Sequence, residues 1–104
     1  MEITNKGDFL VVALSGEIDH HTLKNLRGTI DAQLEHFTPR VLVLDFEKVS
    51  FMDSSGIGLI LGRKRIAESY GGKVVVKNTS GRVEKMLLLA GLGFMITKRE
   101  VVSK

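Results

Sequence analysis

Phe51-Met52-Asp53-Ser54-Ser55-Gly56-Ile57-Gly58-Leu59-Ile60-Leu61-Gly62-Arg63 is the stretch whose reading decides the fold. An apolar run, Val41-Leu42-Val43-Leu44-Asp45-Phe46, precedes it and reads as a strand. A helical pattern follows it. At the junction stand an acid, two hydroxyls and a glycine. Asp and Ser are good N-cap residues, because a side-chain oxygen accepts the free N–H groups of the first helical turn. A hydroxyl there lies at the positive end of the helix dipole, where a phosphate would be favoured. The local pattern alone favours a simple cap over a regulatory serine. Gly58 and Gly62 are four apart and share one helix face. Each costs about 1 kcal/mol relative to Ala inside a helix. Two such costs imply close approach by another backbone. The sequence leaves open whether that backbone is internal or a partner's.

Working outward from this junction, Glu2 to Asn5 reads as a short strand, Lys6-Gly7-Asp8 as a turn, and Phe9 to Leu14 as a central strand, an opening hairpin. Ser15 to Thr22 reads as a polar loop. Leu23, Leu26, Ile30, Leu34 and Phe37 then recur at steps of three or four, one stripe of a surface helix. Asp19 or Thr22 suits its cap and Pro39 its stop. Glu47-Lys48-Val49-Ser50 reads as a crossing to the junction. The helix after Ser55 presents Ile57, Ile60, Leu61 and Ala67 inward and ends at Tyr70-Gly71-Gly72, where Gly suits a left-handed residue. Lys73 to Lys77 is a third buried strand. Asn78-Thr79-Ser80-Gly81 turns into a short helix with Val83, Met86, Leu87 and Ala90 as its apolar face, and Phe94 to Thr97 is a last strand. Residues 98–104 read as a polar tail with room for one short C-terminal helical turn.

The order is β-β-α-β-α-β-α-β. This is an α/β chain with a mixed, mostly parallel sheet and right-handed crossovers. Gly16-Glu17-Ile18-Asp19 and Met52-Asp53-Ser54-Ser55 each follow a strand and open a helix, so they share one edge of the sheet. Ligands of such sheets bind outside the carboxyl ends of the strands.

Composition narrows the function. With 104 residues and 43% hydrophobic content, the expectation is one domain, residues 1–104. Cysteine is absent, so disulfides and thiol chemistry are excluded. No stretch approaches the ~20 apolar residues of a membrane helix, and Met1 to Lys6 has no signal-peptide core. A soluble, cytoplasmic protein with no membrane partner is expected. The net charge of +3 is scattered and aromatics make up 6%, against nucleic-acid binding. Arg63-Lys64-Arg65 reads as a solvated helix face.

Enzyme readings are poor. Ser54 and Ser55 lack the G-x-S-x-G frame of a hydrolase elbow. A triad with His20 or His21 and Asp19 can be drawn on paper, as can a metal set of Asp19, His20, His21 and Asp53, but neither matches a motif. No phosphate-binding G-x-x-x-x-G-K-[ST] loop is present, and Gly56-Ile57-Gly58 is only a fragment of a dinucleotide fingerprint.

Gly16-Glu17-Ile18-Asp19-His20-His21-Thr22, followed about thirty residues later by Phe51-Met52-Asp53-Ser54-Ser55-Gly56-Ile57-Gly58, resembles the STAS domains, above all the anti-sigma factor antagonists of the sporulation sigma factor F pathway. The resemblance implies a partner-switching module, not an enzyme. The unphosphorylated form binds an anti-sigma factor that is also a serine kinase, and so frees a sigma factor for transcription. The kinase supplies ATP and phosphorylates the antagonist, which lets go; a metal-dependent serine phosphatase restores it. No cofactor or metal of its own is implied. The resemblance places the phosphate on Ser54 and the grip on Asp19. The expected docking surface comprises Asp19, His20, Asp53, Ser54, Ser55, Gly56 and Gly58. Other readings are a scaffold, or a small-ligand or nucleotide sensor without a phospho-switch, and, more distantly, a small serine hydrolase.

Overall fold

A computed structural model describes residues 1–98. Strand β1 (Glu2–Lys6) turns at Gly7 into β2 (Phe9–Ile18), followed by α1 (His20–Phe37), β3 (Val41–Met52), α2 (Ser55–Ser69), β4 (Lys73–Lys77), α3 (Gly81–Leu89), a 3-10 turn (Gly93–Met95) and β5 (Ile96–Thr97). The sheet order is β1-β2-β3-β4-β5. β1 pairs antiparallel with β2, and every other pair is parallel. This is the mixed, mostly parallel sheet that the alternation of elements implies. Each helix links a strand to its next neighbour in one direction, so right-handed crossovers place all three on one face.

The core lies between that face and the helices. β2 contributes Leu10, Val12 and Leu14, β3 Leu42 and Leu44, and β4 Val74 and Val76, every second residue of each strand. Ile30 and Leu34 of α1, Leu59 and Ile60 of α2, and Val83 and Leu87 of α3 close over them. Each such side chain contributes about 1.5–3 kcal/mol relative to an exposed one.

Both strands that lead to the junction are longer than their apolar runs. β2 continues through Ser15-Gly16-Glu17-Ile18, and β3 through Glu47 to Met52, where loops are expected from polarity. The two extensions pair with each other: Ser15 with Lys48, Gly16 with Val49, Glu17 with Phe51, Ile18 with Met52. Their backbone groups are satisfied across the ladder whatever the side chains are. The register shifts on both sides of the Ser15–Gly16 segment, and Gly16 sits at φ 76, where a side chain is strained. Ile18 and Met52 return to full burial, which anchors the end of each strand.

Several helix faces also differ from the periodic reading. Leu59 is buried in α2 and Leu61 is 39% exposed; Phe37 and Ala90 lie at the surface. Arg63 is not solvated. It is 4% exposed, and its Nε lies 2.8 Å from Asp31 Oδ1 on α1. Phe94 and Met95 belong to the 3-10 turn, which leaves a two-residue β5. The expected C-terminal turn lies outside the described residues.

Candidate functional site

The site is built where β2 and β3 end side by side. The Asp53 N–H donates to the Ile18 carbonyl at 3.1 Å, so the segments that open α1 and α2 are neighbours. The expected shared edge is therefore present.

On the α1 side, Asp19 is the N-cap. Its Oδ1 accepts from the N–H groups of His21 at 3.0 Å and Thr22 at 3.1 Å. The Thr22 hydroxyl accepts from the Asp19 N–H at 3.1 Å and completes a capping box. The two expected cap candidates thus act as one device. Asp19 Oδ2 has no hydrogen-bond partner among the described residues. His20 and His21 are exposed, with ring centroids 4.0 Å apart.

On the α2 side, labour is divided between neighbours. Ser54 occupies the cap position, yet its side chain makes no cap hydrogen bond. The cap is Asp53: its Oδ1 accepts from the Ser55 N–H at 2.9 Å and also from the Ser55 hydroxyl. These two bonds, with a smaller electrostatic contribution from the nearby His20 and His21, outweigh the cost of desolvation and hold the Asp53 carboxyl below the usual aspartate range. Ser55 is half-buried and engaged; Ser54 is exposed, and no imidazole bonds its hydroxyl. The backbone differs from expectation in one respect. The Ser55 amide is taken by Asp53, the Gly56 amide donates to Asp53 O and the Ile57 amide to Ser54 O. The amides next to Ser54 are not waiting for an anion.

The glycines separate. A Cβ on Gly56 would lie 2.3 Å from Met52 Cγ and Sδ, so Gly56 is buried and answers to the core. A Cβ on Gly58 or Gly62 would meet nothing within 4 Å. Among the described residues no other backbone lies against the Cβ side of either glycine. Gly58 is exposed one turn beyond Ser54.

Sequence reasoning missed two features. Phe51 is 39% exposed at the end of β3, with the Arg82 guanidinium 5.5 Å from its ring centroid. Nothing local joins residues so far apart. Arg63 was detectable, because Leu59, Arg63 and Ala67 recur every four residues on the buried face of α2. Among the described residues no group of three or more His, Cys, Asp or Glu side chains is placed to hold a metal ion, and no helix is long and apolar enough to cross a membrane. The arrangement sets an exposed Ser54 hydroxyl directly after Asp53, whose carboxyl feels His20 and His21 and whose backbone is joined to Ile18, the residue before Asp19.

Comparison with known proteins gives the family. The STAS domain family model matches residues 1–104. The anti-sigma F factor antagonist of Lysinibacillus sphaericus is 39% identical over 81% of this chain and 72% of its own length. The anti-sigma factor antagonist SpoIIAA in its unphosphorylated form superposes with a TM-score of 0.86 at 33% identity, over 96% of this chain and 88% of that one. The Bacillus cell fate determinant SpoIIAA in its phosphorylated form gives 0.78 at 32%, over 96% and 91%. The first two of these relatives are named for antagonism of a factor, and none of the three is named for a reaction. With that identity and coverage, the chain belongs to the STAS domain family, in the group formed by the anti-sigma F factor antagonists.

Proposed function

We propose that this chain, acting as one STAS domain, is an anti-sigma factor antagonist whose switch is the Ser54 hydroxyl. The observation that carries the reading is the contrast between adjacent serines. Ser55 is tied to Asp53, while Ser54 is exposed and unengaged beside the Asp19 loop. Unmodified, the surface of Asp19, His20, Asp53, Ser54, Ser55 and Gly58 docks on an anti-sigma factor that is also a serine kinase, and the sigma factor is freed. Gly56 supports that surface from beneath, because its own place is against Met52. Asp19 Oδ2 is available to a cation of the partner, and Gly58 admits a partner backbone closely.

The kinase brings ATP. A bond forms between Ser54 Oγ and the γ-phosphorus, the bond from that phosphorus to ADP breaks, and the hydroxyl proton leaves to a base of the kinase. The phosphate adds about −1.5 to −2 charge at neutral pH. It stands beside the ionised Asp53, and the amides that would gather it are already engaged. It therefore projects into the interface and expels the partner. A metal-dependent serine phosphatase returns the hydroxyl.

Titration of the anti-sigma factor into Ser54→Ala and Ser54→Asp tests this. Ser54→Ala keeps the wild-type affinity, and Ser54→Asp binds at least about tenfold more weakly, a difference of about 1.4 kcal/mol. Equal affinities refute the charge switch.

A further inference from the structure

The outer face of α3 is not used by the core. Val83 and Leu87 point inward, which leaves Arg82, Lys85 and Leu89 at helical spacing on the outside with Leu88 beside them. Leu88 is 57%, Leu89 79% and Phe94 72% exposed. Scattered apolar residues are ordinary on a surface. These are gathered, because a Cβ on Gly93 would touch Leu88 at 2.5 Å and Phe94 is the next residue. The cluster is also joined to α2, where Lys64 Nζ lies 5.8 Å from the Phe94 ring centroid. At the other end of α3, Arg82 reaches over Phe51, three residues before Ser54. A strip thus runs from the switch edge along α3, cationic first and apolar last. Glu84 is neutralised by Lys98 at 3.0 Å, whereas Arg82 and Lys85 have no ion pair among the described residues.

We infer that this strip is a second docking surface for the partner that covers Ser54, taking a segment of that partner in which acidic residues lie next to an apolar cluster. The inference rests on the reading of the chain as an antagonist. Charge selects the occupant. A second copy of this chain packed on the same strip would offer Arg82 and Lys85 only its own cations or its apolar end, so neither would gain an opposite charge. An acidic segment pairs with both cations while its apolar residues cover Leu88, Leu89 and Phe94. Contact at two places lets one phosphate displace the partner from the switch while the strip keeps the encounter specific.

The test titrates the purified anti-sigma factor into wild type, Leu89→Asp, Arg82→Glu and Ser54→Asp, each at low and high salt. All three altered side chains are exposed, and unchanged thermal melting verifies the fold. Leu89→Asp and Arg82→Glu each weaken binding about tenfold or more, the size typical of a buried anchor. Arg82→Glu also flattens the salt dependence, because it removes a screened attraction. Wild-type affinity in both variants, with Ser54→Asp still weak, overturns the strip and leaves the antagonist reading standing. No binding by wild type, or full binding by Ser54→Asp, overturns the antagonist reading and the strip with it. Sedimentation as a dimer that Leu89→Asp dissociates also overturns it, since the face would then belong to a second copy.

Discussion

Asp53, Ser54 and Ser55 are consecutive, yet each does something different. Asp53 holds the start of α2, Ser55 holds Asp53, and Ser54 is left to solvent. That a cap exists here is legible in the residue types. Which hydroxyl is engaged is not, because it depends on how Asp53 is held by the hydrogen bond its N–H donates to the Ile18 carbonyl across the sheet. The cap carries a pH signature. The fold holds the Asp53 carboxyl below its ordinary value near 3.9 by favouring the ionised form. Its contribution to stability is therefore present above that ordinary value and is lost as pH falls through the lower folded value. Melting curves of wild type and Asp53→Asn should differ at pH 6 and converge as pH drops below about 4. A difference that grows in acid would contradict the assignment.

At the scale of elements, the apolar parts of β2, β3 and β4 and the stripe of α1 are plain in the sequence, because burial imposes its period. The polar ends of β2 and β3 are not plain. They are strands only because each is the other's partner, and that pairing is set by chain far away. These hidden ends carry Asp19 and Ser54 to one place. The helix starts make separable predictions. Asp19→Ala removes the capping box and should cost about 1 kcal/mol in urea unfolding. Gly58→Ala meets no neighbour within 4 Å and should add up to about 1 kcal/mol of stability, while weakening the anti-sigma factor. A variant that gains stability and keeps full affinity would show that Gly58 serves no close approach.

Across the whole molecule, the alternation of elements carries the sheet order, and the burial of Arg63 escapes it. Arg63 is buried with Nη1 unpartnered among the described residues, and Asp31 is its counter-charge at 2.8 Å. Burial lowers the Arg63 pKa while Asp31 supports the charge. The pair ties the helix that begins at Asp19 to the helix that begins at Ser54. Asp31→Ala should destabilise the fold by about 1–3 kcal/mol in urea unfolding, less than for a fully buried pair, because the Asp31 side chain is 38% exposed and partly screened. Arg63→Met, which removes the buried charge itself, should cost less. With α1, α2 and the sheet tied in this way, the phosphate proposed at Ser54 is expected to act locally. The far-ultraviolet circular dichroism of the phosphorylated chain should match that of the unmodified one, and a large change would point to refolding.

The most direct measurement is the intact mass of the chain after incubation with ATP and the anti-sigma factor kinase, with Ser54→Ala and Ser55→Ala alongside. One added phosphate on wild type and Ser55→Ala, and none on Ser54→Ala, is the predicted result. Phosphate on Ser54→Ala but not on Ser55→Ala, or none on any chain by a kinase active on another substrate, would contradict the assignment of the switch to Ser54.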